Sequence, residues 1–201
     1  MNSKLKLKAS LVKLVLLVLI FLQNLAAENK ENYLGEANAK NILVEYASLS
    51  CVHCANFHLD NLPAIKKELI ETGKLKYIYR DFPLDKPAMI AAMVSNCYSG
   101  YQYFEVLNTL FRNQKKWVVK SENKEDFEKT LFAILKVHGI SLEKIKSCTD
   151  ENDLNKKKWN SILQIRLEAQ KLGVNSTPSF FLNGERLPGL VTSEVLKKLI
   201  K

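Results

Sequence analysis

Cys51 and Cys54 stand two residues apart directly after the apolar run Ile42-Leu43-Val44-Glu45-Tyr46-Ala47. This junction constrains the fold more than any other stretch of the 201 residues. Cysteines at that spacing can close a disulfide within one helical turn. A thiol at a helix N-terminus also meets unpaired N–H groups and the positive end of the helix dipole, both of which favour its thiolate. The pattern predicts a strand running into a helix, with Cys51 exposed as the nucleophile and Cys54 buried one turn inward. A purely structural cross-link is the weaker alternative, because closing so short a loop removes little entropy from the unfolded chain.

The N-terminal residues indicate where such chemistry would take place. Lys4, Lys6, Lys8 and Lys13 flank or precede the apolar segment 14–22, and Ala26-Ala27 stand before Glu28, so residues 1–27 read as a secretory signal. The uninterrupted apolar run is shorter than the roughly 20 residues of a membrane-spanning helix. A soluble, exported (periplasmic) protein is expected, with an uncleaved signal anchor as the alternative. Those four lysines account for four of the formal net charge of +9, and no acidic residue precedes Glu28, which leaves a modest +5. The lysines at 115–116, 156–158 and 197–198 alternate with acidic or apolar neighbours and lack interleaved aromatics. Solvated helix faces explain them better than a nucleic-acid surface.

Along the chain, residues 42–47 suit a buried strand, and residues 51–72 keep helical spacing, kinked at Pro63, up to Gly73. Residues 74–82 alternate with period two before Pro83, which makes a parallel strand–helix–strand unit. Helical patterns follow at 89–99, 101–113, 124–138, 141–149 and 153–172. Ser179-Phe180-Phe181-Leu182 runs into Asn183-Gly184, a strong hairpin signal, and Glu185-Arg186-Leu187 returns before a last helix at 193–200.

This order, with Cys-x-x-Cys opening the first helix and Thr177-Pro178 introducing the late hairpin, resembles the DsbA-like thiol:disulfide oxidoreductases of bacteria. Glu45 six residues before Cys51, Cys51-Val52-His53-Cys54, Thr177-Pro178-Ser179-Phe180, and Asn183-Gly184 closing on Pro188-Gly189 carry the resemblance from about 41 to 200. It implies an α/β thioredoxin fold, residues 28–85 and 173–201, interrupted by an all-helical insertion, residues 86–172. It also implies an oxidase that needs no cofactor or metal, takes unfolded exported proteins with free thiols as substrates, works as a monomer and is recycled by a DsbB-like, quinone-linked membrane partner. By resemblance, Glu45 manages the proton of Cys54, and Thr177 and Pro178 form a cis-proline loop that docks substrate. The alternatives are an outward-facing Glu45 and a trans, strand-starting Pro178. The best-known members carry proline where Val52 stands, so the redox potential is the property this departure touches.

The remaining signals are local. His53 is placed to stabilise a Cys51 thiolate through its imidazolium. A stabilised thiolate favours the reduced form and makes the disulfide more oxidising. His58 follows Cys54 by four residues, so Cys51, Cys54 and His58 could share a helix face as metal ligands in a metal-binding chaperone. A reductase or isomerase would use the same motif. Ala55 stands where covalent haem attachment requires histidine. His138 suits a helix C-terminus before Gly139, and Trp117 and Trp159 suit packing of the helical block. Cys97 and Cys148, the other pair, are expected to form a second disulfide, with two buried free thiols as the alternative.

Overall fold

A five-stranded sheet in the order β1-β3-β2-β4-β5 organises the structure. The computed structural model describes residues 31–118 and 123–200, so the expected signal segment, residues 1–27, lies outside the described residues. The strands are β1 (Tyr33–Leu34), β2 (Asn41–Ala47), β3 (Leu75–Asp81), β4 (Ser179–Leu182) and β5 (Glu185–Leu187), all within the unit Asn32–Lys201. β2 and β3 pair in parallel from Asn41 opposite Leu75 to Ala47 opposite Asp81, as a strand–helix–strand unit requires. β4 runs antiparallel to β2, and the short edge strand β1 runs antiparallel to β3. Asn183 and Gly184 close the β4–β5 hairpin with φ of 53° and 86°. Positive φ at both central residues matches the right-handed twist of the strands they join. The Ile42 N–H donates to Asn183 Oδ1 at 2.8 Å, and the Asn183 N–H donates to the Ile42 carbonyl at 2.9 Å, which anchors the turn to β2.

Because side chains alternate along a strand, β2 serves two layers. Leu43 and Ala47 enter the larger core with Ile65, Leu69, Leu75, Tyr77, Leu107 and Phe111. Val44 and Tyr46 pack on the opposite face with Phe82, Ala169, Val174 and Phe181. Burial of each such leucine or phenylalanine contributes about 1.5–3 kcal/mol. Glu45 lies between Leu43 and Ala47 in the strand and is therefore carried into the larger core.

The helix after Cys51 departs from a plain α-helix. It runs as α1 (Val52–Asn56), a π-helical turn (Phe57–Asn61), α2 (Leu62–Ile65) and a second π-helical turn (Lys66–Ile70). Pro63 is thus accommodated in the first turn of α2, after the helix has widened to π geometry. The helical block comprises α3 (Lys86–Ser95), α4 (Gly100–Arg112), α5 (Gln114–Trp117), α6 (Lys124–Leu135), a 3-10 turn (Lys136–His138), α7 (Leu142–Thr149) and α8 (Asp153–Lys171), and α9 (Ser193–Leu199) follows the hairpin. Asp85, Asn123, Ser141, Asn152 and Thr192 cap their helices by accepting the backbone N–H of the residue three positions on. His138 sits before Gly139, whose φ of 72° ends the turn, and its Nε2 lies 2.6 Å from Thr109 Oγ1. Trp117 is fully buried and donates its indole N–H to the Leu110 carbonyl at 2.8 Å. Among the described residues no helix is long and apolar enough to cross a membrane.

Cys97, just beyond α3, is joined to Cys148 in α7 by a disulfide with Cα atoms 6.1 Å apart. It closes a separation of 51 residues, for which loop entropy predicts about 4 kcal/mol of stabilisation. Replacing both cysteines by alanine should lower the urea midpoint by the equivalent of about 2–4 kcal/mol. An unchanged midpoint would show that this bridge contributes nothing to stability.

Candidate functional site

The site is built where β2 ends and α1 begins. Cys51 is the N-cap of α1: its Sγ accepts the Cys54 N–H at 3.4 Å, and its carbonyl accepts the Ala55 N–H at 3.1 Å. The Thr177–Pro178 peptide is cis, and the Thr177 carbonyl accepts the Cys51 thiol at 3.3 Å. This loop makes Cys51 a buried residue, 8 % exposed, where the sequence suggests an exposed nucleophile. Val52, 52 % exposed, and His53 form the outer surface of the turn instead. Cys54 is fully buried, and both thiols are free.

The two thiols differ sharply in acidity. Cys51 is lowered to about 5, first by the hydrogen bond from the Cys54 side chain and against the opposing effect of burial. The Thr177 side chain and the backbone N–H groups of Cys54 and His53 lower it further. The Thr177 hydroxyl is buried with no other partner, so it is available to the thiolate. His53 therefore contributes to the thiolate through its backbone N–H, while its ring faces solvent. The Cys54 thiol is pushed far up, chiefly by burial, then by its hydrogen bond to Cys51 and by the negative charges of Glu45 and Cys51. The pair holds one proton, on Cys54, across the neutral range.

Glu45 is fully buried below this pair, which excludes the outward-facing alternative. Its Oε2 accepts the Tyr77 hydroxyl and lies 3.0 Å from His58 Nε2, and the Tyr77 hydroxyl is 3.3 Å from the same nitrogen. Its Oε1 has no partner. The His58 ring stacks on Phe111, with centroids 4.1 Å apart. Cys51, Cys54 and His58 do not converge as ligands: His58 Nε2 turns to Glu45, and no group of three or more potential ligands occurs among the described residues.

Gln114 was not marked by the sequence. From the buried start of α5 its amide donates to the carbonyls of Leu49 at 2.7 Å and Cys51 at 2.9 Å, tying the helical block to the cysteine turn. Only the acceptors' tertiary position reveals this role. A cavity of about 900 Å³ between helices, walled by Met89, Met93, Trp159 and Leu163, does not include Cys51.

A family model described as Thioredoxin matches residues 27–201. A protein-disulfide oxidoreductase of Rickettsia typhi is 32 % identical over 158 residues, covering 78 % of this chain and 56 % of that relative. The crystal structure of alpha-DsbA1 from Wolbachia pipientis is similar with a TM-score of 0.73 at 30 % identity, covering 88 % of this chain and 92 % of that one. A disulfide bond formation protein D of Bacillus cereus is 24 % identical, covering 79 % of this chain and 72 % of the relative. The chain spans only 54 to 62 % of the length of the three Rickettsia relatives from R. typhi, R. prowazekii and R. conorii.

Two outcomes follow from this geometry. Gln114→Leu removes a donor from two buried carbonyls, of which that of Cys51 keeps the Ala55 N–H, and should cost about 1–3 kcal/mol, read as a denaturant midpoint; a midpoint within error of the parent would remove Gln114 from the support of the turn. A thiol whose pKa is lower folded than unfolded adds stability that is full above the unfolded value and lost as pH falls through the folded one. The dithiol form should therefore gain stability from about pH 5 to about pH 9 relative to Cys51→Ser, measured by chemical denaturation at several pH values. Parallel curves for the two proteins would show that the thiolate is not stabilised.

Proposed function

The chain belongs to the thioredoxin family and has the DsbA-like form of its fold, and from that premise we propose that it is a protein thiol:disulfide oxidoreductase acting as an oxidase. The observation that carries this is geometric: Cys51 Sγ accepts the Cys54 N–H at the start of α1 beside the cis Thr177–Pro178 peptide while Cys54 is fully buried, which lowers the Cys51 thiol and raises that of Cys54. In the oxidised enzyme a substrate thiolate attacks Cys51 Sγ and the Cys51–Cys54 bond breaks. Cys54 leaves and takes up a proton, and a mixed disulfide remains on Cys51. A second substrate thiolate attacks the substrate sulfur, forms the product disulfide and releases Cys51 as the stabilised thiolate. Two electrons pass from substrate to enzyme.

Extended substrate would dock along the Thr177 backbone beside Pro178. In this proposal residues 28–85 and 173–201 form the catalytic thioredoxin unit, residues 86–172 the insertion, and residues 1–27 direct export to the periplasm. The protein acts as a monomer on unfolded proteins with free thiols and is reoxidised by a DsbB-like membrane partner. The shared motif keeps a reductase or isomerase as the competing reading, and thiolate stabilisation at Cys51 favours the oxidase over it.

A reduced, unfolded disulfide protein mixed with the oxidised enzyme should lose its free thiols much faster than in the enzyme's absence. Cys51→Ser should abolish the effect, and Cys54→Ser should accumulate a mixed disulfide. Faster repair of a scrambled substrate than oxidation of a reduced one would instead identify an isomerase.

A further inference from the structure

Exchange as proposed above requires Cys54 to take up a proton when it leaves and to lose one on reoxidation. Cys54 is fully buried, so the proton needs a route through the protein. The neighbouring acid, Glu45, is also fully buried and has one oxygen, Oε1, with no partner. An unpaired buried carboxylate oxygen is costly, and its retention in a folded core calls for a physical explanation. The other oxygen is held by Tyr77 and by His58 Nε2.

His58 connects this pair to solvent. It is only 3 % exposed, yet it lies in the wall of a cavity of about 300 Å³ between the first helix and α4, with Leu62, Lys66, Phe104, Glu105 and Arg112. Glu45, Tyr77 and the Tyr79 ring face His58 from the sheet. Lys66, Lys67 and Glu71 from the first helix and Glu105 and Arg112 from α4 line the cavity with it. Phe111 holds the ring by stacking and offers no proton. One ring nitrogen is on Glu45, and an imidazole can release a proton from one nitrogen while accepting at the other.

We propose that His58 is the proton gate of Cys54, passing protons between water in this cavity and the Glu45 carboxyl, whose free oxygen exchanges them with Cys54 Sγ. The inference rests on the exchange reaction above. When the disulfide opens, one proton passes from cavity water through His58 and Glu45 to the Cys54 thiolate, and Glu45 ends as the carboxylate. Reoxidation runs the same transfers in reverse, so one proton enters or leaves by the cavity per half-reaction. His58 acts through Glu45 and is a positioning and relay residue that does not touch substrate.

The test is the rate of reduction of the oxidised protein by glutathione, followed by stopped flow from about pH 5 to about pH 9 in H₂O and D₂O. His58→Phe keeps an aromatic ring on Phe111 but removes the relay. It should slow opening of the Cys51–Cys54 bond on the order of tenfold to a hundredfold, change the pH profile and alter the solvent isotope effect. The pH midpoint of Cys51 alkylation should stay at the parent value. Asn108→Trp adds a bulky ring at an exposed position of the cavity lining, outside the Glu45 hydrogen bonds, and should slow the same step. A folded His58→Phe protein with parental rate, pH profile and isotope effect would overturn the gate. If that variant does not fold, parental kinetics in Asn108→Trp overturn it instead. A parent protein that does not exchange with glutathione at all would overturn the functional proposal and the gate with it.

Discussion

The hydrogen bonds that converge on Cys51 Sγ set the terms for the rest of the structure. The helix N-terminus supplies N–H groups, Cys54 supplies a thiol donor, and the cis-proline loop brings up the Thr177 carbonyl and a buried Thr177 hydroxyl that is free to turn to the thiolate. For these donors to meet, α1 must begin at residue 52, β4 must run antiparallel to β2, and the loop before β4 must reach over the cysteine turn. Gln114 then fixes the carbonyls on the other side of that turn. Sheet order and the helical block are thus both expressed at one sulfur atom.

Burying Glu45 in the central strand costs folding free energy that an apolar residue would not. The structure offsets part of it with Tyr77 and His58 on one oxygen and leaves the other oxygen facing no donor. The same charge pushes the Cys54 thiol up and so sharpens the difference between the two cysteines. A carboxylate at this place weakens the core and strengthens the asymmetry of the redox pair, which is the expected direction of a stability–function exchange.

Much of this was legible in the sequence where local chemistry decides structure. The Asn183-Gly184 turn, the apolar run of β2, the alternation of β3 and the N-terminal position of Cys51 each follow from neighbours a few residues away. What escaped depends on tertiary placement. The two π-helical turns have no short sequence signal, and the first of them contains His58, whose spacing from Cys54 suggested a shared ligand face. Gln114 is an ordinary polar residue until α5 is brought against the Leu49 and Cys51 carbonyls. Burial of Cys51 comes from a loop more than a hundred residues away. The two-residue strand β1 is too short to show a period. Cys97 and Cys148 could be paired only by an even count, whereas their Cα distance needs the fold.

The central claim is that stabilising the Cys51 thiolate makes the Cys51–Cys54 disulfide an oxidant. Each 30 mV of potential in this two-electron couple corresponds to about 1.4 kcal/mol, so a few hydrogen bonds to one thiolate move it a long way. The direct measurement is an equilibrium redox titration of Cys51–Cys54 against glutathione buffers. The account predicts a potential well above the about −270 mV of thioredoxin, towards the about −120 mV of DsbA. A value at or below that of thioredoxin would contradict it.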